Sequence, residues 1–248
     1  KRGLLKKLYK VVPWCPRCQT PLSSHELGQP GAYRKTKDPS LYVKFKIKNK
    51  EFLLVWTTTP WTLPGNVAVA VNPKLTYTKY KIGDEYLWSF NPPPKAEGKE
   101  AEVVEKISGK KLVGQSYEPL YKNDGAHKVI AADFVSTEEG TGLVHIAPAY
   151  GEDDLKAAGK GPVPLTIDDR GLVKKGIPGA GKFIKEADKD IVADLKKRGF
   201  VYEIGEIEHE YPFCWRCSTP LIYFARNSWF IEMSKLRDEM IAANKKIN

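Results

Sequence analysis

Two stretches near opposite ends of this 248-residue chain repeat one another: Cys15-Pro16-Arg17-Cys18-Gln19-Thr20-Pro21-Leu22 and Cys214-Trp215-Arg216-Cys217-Ser218-Thr219-Pro220-Leu221. Both read CxRCxTPL. A CxxC turn aims two thiolates at one point, and two such turns supply the closed four-sulfur shell that Zn²⁺ accepts in structural sites. All four cysteines of the chain are used. Two other chemistries compete: disulfides, which a cytosolic protein does not keep, and a redox CxxC, which has no need of a near-identical second copy. Nearly the whole chain lies between the two turns, so one zinc would tie its beginning to its end, as suits a module inserted into a host domain. Four thiolates leave no coordination position for water, and the metal is expected to be structural, not catalytic.

Two further stretches carry polar chemistry. Trp56-Thr57-Thr58-Thr59-Pro60-Trp61-Thr62-Leu63-Pro64-Gly65-Asn66 places four hydroxyls and an amide on one loop. Two prolines and a glycine stiffen and turn it, so its groups can be aimed at a ligand at low ordering cost. A threonine-rich turn without function has the same composition. In the second stretch, Glu139 to Asp154, a strand carries His145 and a Gly-led helix then begins at Glu152-Asp153-Asp154. Carboxylates in a first helical turn are ordinary dipole partners, and a histidine at a strand end is often a packed core residue. Together they bring a histidine and a carboxylate to one strand-to-helix junction, which suits a small polar ligand such as an amino acid. The cysteines belong to the metal, and His25, His127 and His209 lie in dissimilar contexts, so covalent catalysis is not expected. Water is the simpler nucleophile.

These groups need elements to hold them. Leu41 to Lys48 alternates apolar and basic residues from Val43 onward, the period of a half-buried strand, and Asn49-Lys50 reads as a turn. Glu51–Thr57, Val67–Val71, Tyr77–Lys81, Glu85–Phe90, His127–Phe134 and Gly142–Ala147 are further short strands, most of them bounded by Gly, Pro or Asn. Helical patterns cover Glu152–Ala158, Ala187–Arg198 with Gly199 as its stop, and Trp229–Ile247, where Met233, Leu236, Met240 and Ala243 recur at helical spacing. The expected class is α+β: an antiparallel, barrel-like β core with flanking helices at residues 31–204, on a small zinc-ribbon-like stem built from residues 1–30 and 205–248. Asn91 to Glu100 reads as an exposed connector.

Apolar runs such as Phe52–Trp56 and Val67–Val71 are too short to cross a bilayer. The basic start, Lys1 to Lys7, has no apolar stretch behind it and no initiator Met, which suggests a piece cut from a cytosolic protein. Forty Lys and Arg against thirty Asp and Glu give a formal charge of +10, favouring a polyanionic partner such as RNA. A lysine-rich solvated surface gives the same total.

The pair WTTTPWTLPGN and GTGLVHIAPAYGEDD resembles the editing insertion of class I aminoacyl-tRNA synthetases. The two tryptophans around TTTP match the isoleucine-specific branch, whereas valine and leucine relatives have a TTRP core. WCPRC and CWRCSTPL are similar to the cysteine knuckles of the family's connective region, so the resemblance covers nearly the whole chain. It implies a cytoplasmic, monomeric editing module that hydrolyses valine from the 3′ end of tRNA(Ile) with activated water. By the same resemblance Asp154 holds the substrate α-amino group, His145 and Thr62 wall the side-chain pocket, and Trp61 shapes it. Thr57, Thr58, Thr59 and Asn66 would hold the ester, the terminal ribose and the attacking water. The ester is already reactive, so positioning and desolvating that water could supply most of the rate. One methylene gives only about 10- to 200-fold discrimination in a single pocket, a general figure for which this family's isoleucine–valine choice is itself the standard example.

The HIGH and KMSKS signatures that serve ATP in the family are absent. Glu232–Leu236 is only superficially similar to the second, inside an expected helix. ATP is therefore assigned to the catalytic domain of a parent synthetase, the expected partner beside tRNA(Ile). Lys156–Pro164 is compact and glycine-rich beside the family pattern, which leaves the length of the helix after Asp154 open. The rival reading is a zinc-ribbon tRNA-binding module, or a degenerate editing domain, that binds tRNA in a salt-sensitive way and hydrolyses nothing.

Overall fold

The computed structural model describes residues 2–95 and 100–247. Residues 96–99 of the expected connector lie outside them. The connector's described part is not wholly exposed, since Pro93 is buried and Tyr202 donates to the Pro94 carbonyl at 2.7 Å. In chain order the elements are β1 (Leu5–Cys15), β2 (Thr20–Pro21), α1 (Ser24–Leu27), β3 (Tyr33–Lys48), β4 (Glu51–Thr57), a 3-10 helix (Pro60–Gly65), β5 (Ala68–Val71), β6 (Thr76–Ile82), β7 (Glu85–Ser89) and β8 (Glu102–Ser108). There follow α2 (Gly109–Leu112), β9 (Lys128–Ala131), β10 (Leu143–Ile146), α3 (Glu152–Ala158), α4 (Ile184–Lys197), β11 (Val201–Pro212), β12 (Ile222–Ile231), a 3-10 turn (Met233–Leu236) and α5 (Arg237–Asn244).

Three sheets result, ordered β11-β3-β4-β7-β6-β8, β10-β5-β9 and β12-β1-β2. The hairpin β3–β4 turns at Asn49-Lys50, where Lys50 takes φ 58°. Phe52 to Val55 are buried without alternation because both faces of β4 are covered. Leu53 and Val55 enter the main core, while Phe52 and Leu54 pack with Tyr80, Ile82 and Leu87 behind it. The expected helices Glu152–Ala158 and Ala187–Arg198 form as α3 and α4, the second starting earlier, at Ile184, and burying Ile184, Ala187, Ile191 and Leu195 along one stripe. Gly199 at φ +76° ends α4 in the left-handed conformation that glycine adopts without penalty.

The mixed α+β class holds, but three expectations change. No closed barrel forms among the described residues: β11 and β8 are opposite edges of one sheet, and β5 pairs in another. The sheets are not purely antiparallel either, since β4–β7 and β5–β9 are parallel. The expected helix Trp229–Ile247 is a strand in its first part, Trp229–Ile231 pairing with Leu5–Lys7. Its helical spacing had no core to face, Met233 and Met240 being about half exposed, so a continuous backbone ladder prevailed. The strands β1 and β12 escaped the pattern reading because they form a two-stranded ribbon exposed over much of its length, without apolar alternation.

One buried aromatic ties β10 to the main sheet. Tyr77, wholly buried on β6, donates its hydroxyl to the Gly142 carbonyl at 2.7 Å and accepts from the Asn72 N–H at 2.9 Å. Gly142 sits at φ +69°, and a Cβ there would approach Phe90 to 2.5 Å. Tyr77→Phe strands both partners and is expected to cost about 1–3 kcal/mol in urea unfolding; an unchanged midpoint would remove this contact from the account of the fold.

Candidate functional site

The apolar strand β4 delivers Thr57 to the edge of the core, and Pro60 then starts the 3-10 helix. Thr57 Oγ1 accepts from the Thr59 N–H at 3.2 Å, and Thr62 Oγ1 donates to the Thr59 carbonyl at 2.8 Å. The hydroxyls of Thr57, Thr59 and Thr62 thereby follow one another at 3.4 Å spacings. Thr58 is half-buried and stands outside this line.

The line ends on His145. Its Nε2 lies 3.0 Å from Thr62 Oγ1, across 83 residues of sequence. With the Thr62 hydroxyl directed at the Thr59 carbonyl, His145 Nε2 stands where it can donate to Thr62 Oγ1, and Nδ1 is buried without a partner among the described residues. Burial pushes His145 down to about 4, so the ring is neutral at physiological pH. Two residues on, the Ala147 N–H donates to Asp154 Oδ2 at 2.9 Å. Gly151 makes that fold-back feasible, because a Cβ there would meet the Asp154 carboxyl carbon at 2.7 Å. Burial pushes Asp154 up to about 6, with Asp153 acting in the same direction and the Ala147 N–H opposing. A half-buried carboxylate with one backbone donor and no cation on it among the described residues is suited to receiving an ammonium group.

Trp61 and Asn66 are placed differently. Trp61 is 4% exposed and sets its ring edge-on to Tyr150, centroids 4.8 Å apart, with its indole N–H unpartnered among the described residues. Asn66 is 3% exposed, donates to the Ala68 carbonyl at 2.8 Å and accepts from the Tyr117 hydroxyl at 2.6 Å. Its amide holds the loop's exit. Four residues that sequence reasoning missed complete the frame. Asn123 donates to the Pro64 and Asn66 carbonyls, Tyr117 holds Asn66, Tyr150 supports Trp61, and Asp188 accepts from the Trp61 backbone N–H. Only Asp188 left a signal, as a carboxylate on the apolar stripe of α4. A cavity of about 510 Å³ behind that helix is lined by Asp38, Lys185 and Asp188 among others, and by none of the expected site residues.

The cysteines of both repeats do meet. Their four Sγ atoms lie within 4.8 Å of one another, with Cys15 and Cys18 at 3.4 and 3.6 Å from Cys217. Tetrahedral metal–sulfur bonds of about 2.3 Å separate sulfurs by about this much. The Cys18 N–H points at Cys15 Sγ, 3.3 Å away, as a thiolate favours. Burial pushes the Cys15 thiol up to about 12, whereas at Cys217 burial is outweighed by hydrogen bonds, chiefly with Thr219, which bring it down to about 6; a cation would let all four ionise together. The residues fit a metal ion.

The model of class I tRNA synthetases (I, L, M and V) matches residues 1–248. The chain belongs to this family. It is 45% identical to the isoleucine–tRNA ligase of Thermus thermophilus, over all of this chain and 24% of that protein. To the enzyme of Pyrococcus horikoshii it is 43% identical, over 98% of this chain and 25% of that protein. The chain thus spans about a quarter of the length of these relatives. Among solved structures, GlLeuRS-CP1 superposes with a TM-score of 0.54 at 17% identity, over 67% of this chain and 99% of that one. The P. knowlesi cytosolic leucyl-tRNA synthetase editing domain gives 0.52 at 12% identity, over 68% and 97%. About two thirds of this chain therefore shares the fold of those editing domains. No helix among its described residues is long and apolar enough to cross a membrane.

The Asp154 environment has a consequence for stability. With about 6 in the folded state against an ordinary 3.8, the folded protein keeps a proton that the unfolded chain has released between those values. Stability falls as pH rises through that window, and the loss persists above it. Asp154→Asn retains an acceptor for Ala147 and removes the charge. Relative to wild type it is expected to be more stable at pH 8 than at pH 5, by on the order of 1 kcal/mol. A difference that does not change with pH in denaturant titrations would contradict an ionised carboxylate held in this desolvated setting.

Proposed function

We propose that this chain is the editing module of an isoleucyl-tRNA synthetase and hydrolyses the ester of Val-tRNA(Ile). The observation that carries the reading is the continuous Thr57–Thr59–Thr62–His145 line, which ends on the strand two residues before the Ala147 N–H that Asp154 accepts. The substrate ammonium pairs with the Asp154 carboxylate, which places the ester toward the threonine hydroxyls. Neutral His145 and Thr62 form one wall, and the extra methylene of isoleucine meets that wall. Water held by the hydroxyls of Thr57, Thr58 and Thr59 attacks the ester carbonyl, and the carbonyl–oxygen bond to the terminal ribose breaks. The ribose hydroxyl takes up a proton, and valine leaves as a free amino acid. Asn66 and Trp61 contribute by fixing the loop, given their burial and internal contacts. His145 is too weak a base to take the water's proton at neutral pH, so rate comes from positioning more than from general-base strength.

Zn²⁺ on Cys15, Cys18, Cys214 and Cys217 would close the stem, residues 1–30 and 205–248, beneath the editing core, residues 31–204; β11 crosses that boundary inside the main sheet. When bound, the metal supplies a cross-link and no hydrolytic chemistry. The partners are the acceptor end of tRNA(Ile), drawn by the chain's positive charge, and the catalytic domain of the parent synthetase, where ATP is used. The module is monomeric and cytoplasmic in this reading.

Deacylation of Val-tRNA(Ile) and Ile-tRNA(Ile), measured side by side on the chain and on the synthetase that contains it, tests the function. Valine release is expected with isoleucine spared. Asp154→Ala is expected to lower the rate at least about 100-fold, since it removes a charge-assisted contact in a site with little redundancy, and His145→Ala to open the pocket to Ile-tRNA(Ile). Salt-sensitive tRNA binding with no hydrolysis of either ester would instead favour a binding module. For the stem, metal analysis is expected to find one zinc per chain, lost in Cys217→Ser along with thermal stability; a metal-free, equally stable wild type would reject the zinc assignment.

A further inference from the structure

The loop that carries the threonines has one backbone donor that its own sequence cannot satisfy. The first N–H groups of any helix lack internal acceptors, and Pro60 at the start of the 3-10 helix has none to offer. The Thr59 N–H finds Thr57 Oγ1 and the Thr62 N–H finds the Thr59 carbonyl at 3.0 Å. The Trp61 N–H, between them, goes to Asp188 Oδ1 at 2.8 Å, on a helix 127 residues away.

Asp188 is an unexpected residue for its place. It falls on the buried stripe of α4 with Ile184, Ala187, Ile191 and Leu195, where helical period calls for an apolar side chain, and it is 3% exposed. No cation lies within ion-pair distance of it among the described residues, because the neighbouring Lys185 is engaged by Asp38 at 2.5 Å. Burial pushes its carboxyl up to about 7, Asp38 in the same direction and Lys185 in the opposite one. A leucine here would pack without that desolvation cost. The charge-bearing group is kept where its observed contact is the loop amide.

We propose that Asp188 is a positioning residue of the hydrolytic site, its carboxylate fixing the Trp61 N–H and through it the spacing of Thr57, Thr59 and Thr62 against His145. This rests on the reading of the threonine line as a hydrolytic site. Trp61 stands between the two residues, Thr59 and Thr62, whose oxygens pass the line on to His145. A displacement of about 1 Å at such a place costs on the order of 100-fold in rate. A merely structural cap would act on the folded fraction and leave the kinetics of folded molecules alone.

Three variants separate these roles. Asp188→Leu suits the apolar stripe and removes the acceptor; kcat for Val-tRNA(Ile) is expected to fall about 10- to 100-fold, KM to stay within about twofold, and the melting temperature to hold or rise. Asp188→Asn keeps an oxygen for the Trp61 N–H and is expected to recover most of kcat. If Asp188→Leu does not fold, Asp188→Ser, whose hydroxyl is too short to reach, replaces it. Amide hydrogen exchange by NMR gives a readout independent of catalysis: the Trp61 N–H is expected to be protected in wild type and Asp188→Asn, and to exchange rapidly in Asp188→Leu. Wild-type kcat together with wild-type protection in Asp188→Leu overturns the proposal. A wild type with no deacylase activity sinks the hydrolytic reading, and with it a role for Asp188 in catalysis; the exchange pattern then decides whether Asp188 holds the loop.

Discussion

The packing of Tyr150 is the contact on which most of the arrangement depends. Its ring meets Trp61 of the threonine loop edge-on, lies parallel to Phe224 of β12 at 6.3 Å, and its hydroxyl contacts Thr166 Oγ1 while accepting from the Thr166 N–H. Phe224 in turn meets Trp14 of β1, next to Cys15. A line of aromatic rings therefore runs from the threonine loop, through the strand-to-helix junction that carries Asp154, to the ribbon that ends in the cysteines. Each ring buries a large apolar area, and their edge and stacked contacts fix angles as well as distances. The Ala225 N–H bond to the Ala149 carbonyl at 2.8 Å locks the ribbon to that junction. Loop, junction and ribbon cannot shift separately.

Around this spine, burial decides charge. His145 and Asp154 belong to one short segment yet are driven in chemically opposite senses, the imidazole to its neutral form and the carboxyl toward protonation near pH 6. Both shifts come first from desolvation, which disfavours whichever form is charged. The outcome is a neutral imidazole and, two residues further on, the backbone contact of an anionic anchor that has no cation of its own among the described residues. Such an anchor is poorly stabilised until an ammonium arrives, and the fold bears that cost at a place where binding can offset it.

The basic charge of the chain has a mixed fate. Lys44, Lys79 and Lys185 are largely buried and paired with Glu85, Glu51 and Glu105, and Asp38, so they serve packing and not a polyanion. Lys174 and Lys175 are exposed on the segment that follows the site. Composition alone counts both kinds alike, which is why it favoured RNA binding only slightly over a solvated surface.

The sequence alone determined the parts whose physics is local. Helical and strand periods located β4, α3 and α4, and the repeated CxRCxTPL identified four thiols that the fold brings within 4.8 Å. The Thr57–Asn66 and Glu139–Asp154 stretches announced polar side chains on a stiff loop and at a strand-to-helix junction. What the tertiary structure decided is which of these face one another and in what protonation state. That Thr62 meets His145, that the Asn66 amide is engaged internally, and that Asp188 caps Trp61 depend on contacts between residues distant in the chain. The ribbon β1–β12 overrode a helical spacing for the same reason: backbone pairing between two ends of the chain leaves no periodic trace in either strand when most of the ribbon is exposed. Desolvation and long-range pairing are properties of stacked elements, and a single sequence states the elements without stating how they stack.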